Sequence, residues 1–503
     1  MNIAQLVLDN IDRFGEYPCV YHEGRWHSNV QRLECAEKMA SVLRDQGVKP
    51  GDRVVVMMAN DPIVTDAFHA IWRLGAVMIP VTPNWVAREV RYVLQNSGAK
   101  VVITSAPLAQ RIVEASENNP DIDAILVHGV CDLASTTALE PLMVDAQPLQ
   151  SMHDCDENDL AMLIYTSGTT GQPKGVMQSH KNLVTNVAAV SKLGAMDPLI
   201  MTMQVLPLSH VFGVLGMNLN AFFGSRSIIL PHWDTRKVFE TIQQFQVARF
   251  SVVPTMLTYM LNFPDRQKYD CSSLRLVSTG GAATPEEVRL EFERTFQCRI
   301  RDGYGCSEAT CAISSYHESE AHRVGAVGRP LDEMDLSILN SENQPVPTGQ
   351  EGEVCVRGAH VMQGYWKDPA TTELAMRAGW LHTGDLGRVD EDGYLYITGR
   401  IKDLIIKGGE NISPREIEEA IYQHPAVAET AVIGIPDATF GEQVCAVVVL
   451  RPGHSATELE IQCHVARYVN KFKVPASVVF RADLPKSPVG KILKRELRQE
   501  YSV

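Results

Sequence analysis

The sequence predicts an α/β protein, with a large N-terminal domain of βαβ-type sheets plus a β-rich subdomain over residues 1–399 and a small α+β C-terminal domain over residues 400–503. Three observations carry this. Between about residues 50 and 310, short apolar runs such as "DRVVVMMAN", "AKVVITS", "RSIILP", "ARFSVVP" and "LRLVSTGG" alternate with amphipathic helical stretches. Strands buried on both faces of a parallel sheet have this continuously apolar composition. After about residue 330 the runs shorten and Gly and Asp turns appear, as in "EGEVCVRG" and "DEDGYLYITGR", which is the pattern of short strands in a β-rich subdomain. From Gly399, "GRIKDLIIKGGENISPREIEEAI" reads turn, strand, glycine loop and helix, followed by the β runs "ETAVIGI" and "QVCAVVVL".

In chain order, "LAMLI" at 160–164 is a buried strand, "YTSGTTGQPKGV" at 165–176 a loop, and "SHKNLVTNVAAV" at 179–190 a helix. Thr284, Pro285 and Glu287 predict a helix start: an N-cap hydroxyl, proline in the first turn and glutamate three residues on, the pattern of a capping box. Ser413, Pro414 and Glu416 repeat it. Internal repeats and low-complexity segments are absent from the sequence.

The 503 residues are 45% hydrophobic and 21% charged, the balance of a globular chain. No stretch has the ~18 apolar residues of a spanning helix, and "MNIAQLVLDN" lacks the basic and apolar regions of a secretory signal. A cytoplasmic location is expected. The 11 cysteines are scattered without CxxC or HExxH spacing, so small buried hydrophobes in a reducing compartment are expected and no metal cluster. A formal charge of −14 argues against nucleic-acid binding, though it leaves small anionic ligands open.

The loop at 165–176 holds three glycines, Gly168, Gly171 and Gly175, four hydroxyl side chains apart from the Tyr165 phenol, and Lys174. Backbone amides freed by glycine, hydroxyl donors and a lysine charge together suit a phosphate. The spacing is not that of a Walker loop, since Pro173 stands where that pattern continues. On composition alone a plain surface turn stays open beside a phosphate cradle.

The loop resembles the signature of the adenylate-forming superfamily, whose members include acyl-CoA synthetases, adenylation domains and luciferases. Four further motifs of that family follow in order: "DGYGCSEAT" (302–310), "LHTGDLG" (381–387), "GRIKDLIIKGGENI" (399–412) and "PKSPVGKILKREL" (485–497). The resemblance covers nearly the whole chain. It implies an AMP-forming acyl-CoA synthetase, which joins a carboxylic acid to ATP with loss of pyrophosphate and then passes the acyl group to coenzyme A. ATP, Mg2+ and coenzyme A are the implied cofactors. The implied partners are the acid, ATP and CoA, with a homodimer as the candidate assembly, no nucleic acid and no membrane span.

Residue by residue, the resemblance assigns the charge between carboxylate and α-phosphate to Lys491, and Mg2+ to Glu308 with Thr166. ATP or AMP contacts fall on Thr166, Ser167, Gly168, Thr169, Thr170, Gly171 and Lys174; on Gly280, Gly281 and Ala282; on Asp302, Gly303, Tyr304, Gly305 and Ser307; and on Asp385 and Arg400. Ser307 stands where the family most often has threonine. An ionised carboxylate can accept from both ribose hydroxyls, which suits Asp385. Lys402 occupies the hinge position, so the C-terminal domain is expected to be mobile, presenting either Lys491 or the CoA-binding stretch Lys407, Gly408, Gly409 and Glu410.

The acyl pocket is expected from His210, Phe212, Val253 and Met256, with His210 also a catalytic candidate. Amino-acid-selecting relatives carry an acid near here, and Ser209, His210, Val211 and Phe212 offer none. The apolar residues suit a fatty or other apolar acid. Two alternatives stay open: an acyl-adenylate ligase that loads a carrier protein, and a non-catalytic nucleotide-binding protein on the same fold.

Overall fold

Valines account for the first sheet. In the strand Arg53–Met57, Val54 and Val56 enter one buried apolar cluster, while Val55 and Met57 enter another on the opposite face. A strand buried on both sides needs apolar residues at every position, and burying each such side chain contributes about 1.5–3 kcal/mol. The computed structural model describes residues 1–166, 172–194, 197–487 and 490–502. The sheet has eight strands. Leu160–Thr166, Val77–Pro80, Arg53–Met57, Val101–Ser105 and Ala124–His128 run parallel within it.

The predicted strand, loop and helix at 160–190 acquire one more element. Lys174–Ser179 is a strand antiparallel to Leu160–Thr166, with Thr166 opposite Lys174. The glycine-rich loop therefore joins two strands, and the helix His180–Ser191 begins only after the second.

A second, nine-stranded sheet carries the parallel strands Arg299–Tyr304, Leu276–Thr279, Arg249–Val252, Met201–Gln204 and Arg226–Ile229, in that spatial order. One face is apolar: Met203, Phe250, Val252, Val277 and Ile300 pack against the helices Thr235–Phe245, Pro254–Asn262 and Glu286–Phe296. The other face departs from the expectation of continuously apolar strands, because Thr202, Gln204, Ser251, Ser278 and Arg301 point to it. The helix Val211–Phe223 lies over that polar face: a methyl group at Gly216 would sit 3.1 Å from Gln204 Oε1, and Asn220 Oδ1 accepts from Thr202 Oγ1 at 3.1 Å.

Residues 334–400 form a four-stranded antiparallel sheet from Met334–Leu339, Gly352–Gly358, Leu381–Val389 and Leu395–Arg400. Beyond it, Glu410–Ile412, Ile405–Lys407, Gly441–Leu450 and Val427–Asp437 build a further sheet, joined by Ser477–Arg481. Val432, Val444 and Ala446 face the helices Pro414–Tyr422 and Glu458–Val465, and Ile433, Cys445 and Val447 face Leu497 of the last helix.

The two expected capping boxes do not form. Ser413 is the N-cap of Pro414–Tyr422, but its hydroxyl donates to Thr398 O at 2.5 Å. The Thr284 hydroxyl donates to Thr279 Oγ1 at 3.0 Å, and that helix starts at Glu286 with Pro285 as N-cap. Tertiary partners win over local capping at both positions. No helix among the described residues is long and apolar enough to cross a membrane.

Candidate active site

Asp385 gathers the site. Its strand pairs with Leu395–Arg400 so that Asp385 lies opposite Arg400, and Arg400 Nε reaches Asp385 Oδ1 at 2.5 Å. Tyr304, at the end of Arg299–Tyr304, donates its hydroxyl to Asp385 Oδ2 at 2.7 Å. Burial, and then the Asp385 charge, hold the Tyr304 phenol well above its ordinary value, so it stays a donor. Each carboxylate oxygen retains lone pairs for further donors.

The turn that presents Asp385 is pinned by residues the sequence reading missed. Gly384, at φ 73°, takes the left-handed conformation that glycine tolerates. Its amide donates to Glu353 Oε1 at 3.0 Å. The other carboxylate oxygen contacts His382 Nδ1 at 2.7 Å and Arg377 Nη2 at 3.0 Å. Cys355 Sγ lies 3.3 Å from the same His382 nitrogen, so these three side chains form a compact Glu–Cys–His group that linear spacing did not reveal.

Lys491 arrives from the C-terminal unit. Gly490 O accepts from Thr255 Oγ1 at 3.2 Å, and the Arg451–Glu291 ion pair at 3.1 Å adds a second tie between the two parts of the chain. A methyl group at Gly281 would lie 3.2 Å from Lys491 Cε. Burial, with Arg400 nearby, lowers the Lys491 pKa below the ordinary ammonium value. His210 is pushed down to about 3, first by burial and then by the Lys491 charge, so it is neutral at physiological pH. It is the N-cap of Val211–Phe223, its Nδ1 accepting from Phe212 N at 3.3 Å.

Gly281 has φ 82°, so an alanine there is strained and also crowds Lys491. Gly281→Ala is expected to lower pyrophosphate exchange about tenfold or more while costing only about 1–3 kcal/mol of stability, checked by exchange kinetics beside thermal unfolding. A loss of exchange no larger than at an exposed glycine such as Gly349 would count against the proximity.

Glu308 sits in a short 3-10 turn, Ser307–Ala309, and its Oε1 accepts from the Tyr365 hydroxyl at 2.9 Å. The Tyr365 ring lies 5.5 Å from Lys174 Nζ, and Gln178 Nε2 donates to Ser307 O at 2.7 Å. The hairpin that ends at Thr166 and restarts at Lys174 is thereby tied to the 302–310 segment. Gly305 leaves no room for a side chain, since a methyl group would fall 1.6 Å from Cys311 O. Ser167, Gly168, Thr169, Thr170 and Gly171 lie outside the described residues.

Gly280 faces Phe212 Cε1 at 3.2 Å and Gly303 O at 3.5 Å, measured from a methyl placed on it, while Ala282 is exposed. Phe212 packs against the buried cluster that holds Val253 and Met256. Asp302 is different: its carboxylate accepts from Thr279 Oγ1 at 2.5 Å on the sheet face opposite Gly303. That carboxylate is buried beside its register partner Thr279.

Lys402 is exposed in the 3-10 turn Ile401–Asp403, which Arg498 ties down through Lys402 O and Asp403 O at 3.1 and 2.8 Å. Lys407, expected to meet CoA, is buried: its Nζ donates to Phe472 O at 2.8 Å and lies 4.5 Å from the Phe472 ring. Gly408, Gly409 and Glu410 are exposed on the C-terminal hairpin, and the structure does not bring them among the contacts of Lys491 and Asp385.

The arrangement offers a carboxylate for two hydroxyls, an aromatic ring, a partly buried cation and a magnesium-compatible carboxylate around one space. Comparison with known proteins matches residues 8–366 to the family described as AMP-binding enzyme and residues 416–491 to the AMP-binding enzyme C-terminal domain. A long-chain-fatty-acid–CoA ligase of Bacillus subtilis (strain 168) is 33% identical, over 99% of this chain and 94% of that protein. A sulfoacetate–CoA ligase of Cupriavidus necator is also 33% identical, over 90% of this chain and 88% of that one. Among solved structures, the anthranilate CoA ligase AuaEII in complex with anthranoyl-AMP superposes with a TM-score of 0.94 at 26% identity, covering 100% of this chain and 97% of that chain.

Proposed function

The chain belongs to the AMP-binding enzyme family, and on that premise we propose that it activates a carboxylic acid with an apolar body in the site built around Asp385 and Lys491. It is an ATP-dependent acid–thiol ligase of the acyl-CoA synthetase type and uses ATP, Mg2+ and coenzyme A. The observation that carries the residue assignment is the seat of Lys491 against Gly281, with Arg400 and His210 nearby.

In the first step a carboxylate oxygen of the acid bonds to the α-phosphorus of ATP and the bond to the pyrophosphate oxygen breaks. Two anions must be brought together, so fixed positive charge and positioning supply most of the acceleration. Lys491 supplies the charge between them. Asp385 accepts from the ribose hydroxyls, with Tyr304 and Arg400 fixing its orientation. His210, neutral and partly buried, closes the carboxylate end without adding a second cation. The hairpin flanked by Thr166 and Lys174 holds the departing phosphates, and Gly280 with Phe212 bounds the acid.

Glu308 suits Mg2+, because among the described residues its Oε2 carries no donor while Oε1 is oriented by Tyr365, and carboxylate and hydroxyl oxygens are the donors a hard cation takes. Glu308 with Thr166 would hold the ion, which when bound neutralises phosphate charge. In the second step the CoA thiol sulfur bonds to the acyl carbon as the bond to AMP breaks. Rotation at Lys402 between units 1–399 and 400–503 would carry Lys491 away and bring the Lys407–Glu410 hairpin in. Eleven free cysteines favour a cytoplasmic location.

A pH profile follows from the lowered Lys491 pKa. The sign is that of a lysine needed in its charged form: kcat/KM for adenylation falls as pH rises through the free-enzyme value, so the basic limb is expected below the ordinary lysine range. Lys491→Arg should move that limb upward or abolish it. The activity itself is tested with a panel of carboxylic acids, ATP, Mg2+ and CoA, following AMP and acyl-CoA. Thioester formed on free CoA supports this reading; an adenylate that CoA never discharges points to a carrier-protein acceptor.

A further inference from the structure

The polar face of the nine-stranded sheet carries information about the acid. The register sets Ser251, Ser278 and Arg301 side by side on three neighbouring strands, and continuing it places Gln204 beside Ser251. The next rung toward the site, two residues along, is Val253, Gly280 and Gly303, whose first two members border Phe212 and Gly281. Alternate residues share a face, so the polar rung lies under the same helix about 7 Å farther from Lys491. Phe212, at the start of that helix, touches Gly280, and Gly216 faces Gln204.

These side chains also differ from their neighbours in access. On the opposite face Phe250, Val252, Val277 and Ile300 are buried, whereas Ser251, Ser278 and Arg301 each keep partial contact with solvent in the middle of the fold. No hydrogen bond or ion pair of the Arg301 guanidinium is found among the described residues, and none of the Ser251 or Ser278 hydroxyls. The surrounding charges are already engaged: Arg249 pairs with Glu318 at 3.2 Å, and Arg299 donates to Glu318 O and Glu320 O at 2.6 and 2.9 Å. Burial and neighbouring Arg249 push the Arg301 pKa down to about 10, which still leaves it charged at neutral pH. A guanidinium with open donors beside two hydroxyls is a receptor for an oxyanion, since its planar fork matches two oxygens at once. An entirely apolar acyl chain laid over this rung would shut water from those donors and offer them no partner in its place.

Resting on the acyl-CoA synthetase reading above, we propose that Ser251, Ser278 and Arg301, with Gln204 beside them, bind a second, distal oxyanion of the acid, a carboxylate or sulfonate separated from the reacting carboxylate by a short apolar body. Phe212 and Val253 then enclose the middle of the substrate, and the polar rung reads its far end.

The test uses the purified full chain with ATP, Mg2+ and CoA, measuring kcat/KM for dicarboxylic acids from succinate to dodecanedioate. The ω-sulfonated acid and the straight-chain monocarboxylate of each length serve as comparisons. At one length at least, the doubly anionic acid should exceed its monocarboxylate by about thirtyfold or more. Arg301→Leu should erase that ratio, chiefly by raising KM for the diacid, with kcat/KM for the monocarboxylate rising; Arg301→Lys should restore part of it. A carboxylate optimum with no response to the sulfonate, or the reverse, identifies which oxyanion is bound. A monocarboxylate preferred at every length overturns the inference while leaving the synthetase reading intact, and the wild-type ratios decide this even if the leucine variant fails to fold. An unchanged ratio in a folded Arg301→Leu enzyme overturns it likewise. If no acid of any kind releases AMP, the synthetase reading falls and this inference with it.

Discussion

Replacing Lys491 by alanine is expected to slow acid-dependent ATP–pyrophosphate exchange by about a thousandfold, the range seen when one pre-positioned charge or donor is removed from a transition state. The reason is local. Lys491 lies where a methyl on Gly281 would touch it, and its charge already bears on His210. The two lysines that flank Lys491 in its own segment are engaged elsewhere: Lys486 is held by Glu429 at 2.8 Å and Asp483 at 2.5 Å, and Lys494 by Glu418 at 2.6 Å. Thioester formation from acyl-adenylate supplied ready-made should survive, because that step is assigned to the other pose. Loss of both half-reactions to the same extent would place Lys491 in a structural role, and wild-type exchange would remove it from the site.

Lys402→Pro is expected to give the complementary result. A 3-10 turn has φ near the value that proline fixes, so the pose seen here, with Ile401–Asp403 in such a turn, should accept the ring and adenylation should stay within about twofold of wild type. A pose needing a different φ would be disfavoured by about 3 kcal/mol, which is about a hundredfold in the thioester step. Rapid-quench measurement of the two half-reactions separates them. Equal slowing of both would contradict a rotation at this residue.

Much of the fold was legible because burial on two faces imposes a composition: the valine-rich strand Arg53–Met57 could be read directly. The nine-stranded sheet was less so. Its strands alternate, and "RFSV" or "RIRDGY" carries polar residues that make sense only once the register sets Ser251, Ser278 and Arg301 together. The strand Lys174–Ser179 was hidden beside a glycine-rich loop, where short-range propensity favours a turn over pairing. Helix starts at Ser413 and near Pro285 were found within a residue, yet their hydroxyls bond elsewhere because distant carbonyl and hydroxyl groups compete for them.

For the site, motif likeness points to Tyr304, Asp385, Arg400 and Lys491; in the structure Tyr304 and Arg400 both bond to Asp385, and Lys491 lies against Gly281. It also supplies what spacing could not: Tyr365 orienting Glu308, and Glu353 holding the Gly384 amide with His382 and Arg377 behind it. Those partners lie on other strands or in other segments, and only pairing makes them neighbours. The Asp302 side chain, expected beside the nucleotide, accepts from its register partner Thr279, a cross-strand pairing that a motif does not express.

The most direct test of the central claim is the product balance of the wild-type enzyme with an accepted acid, ATP, Mg2+ and CoA, resolved by chromatography of nucleotides and thioesters. AMP, pyrophosphate and acyl-CoA formed in equal amounts, each dependent on the acid, is the predicted result. Release of ADP and phosphate, or AMP formed at the same rate without the acid, would contradict it.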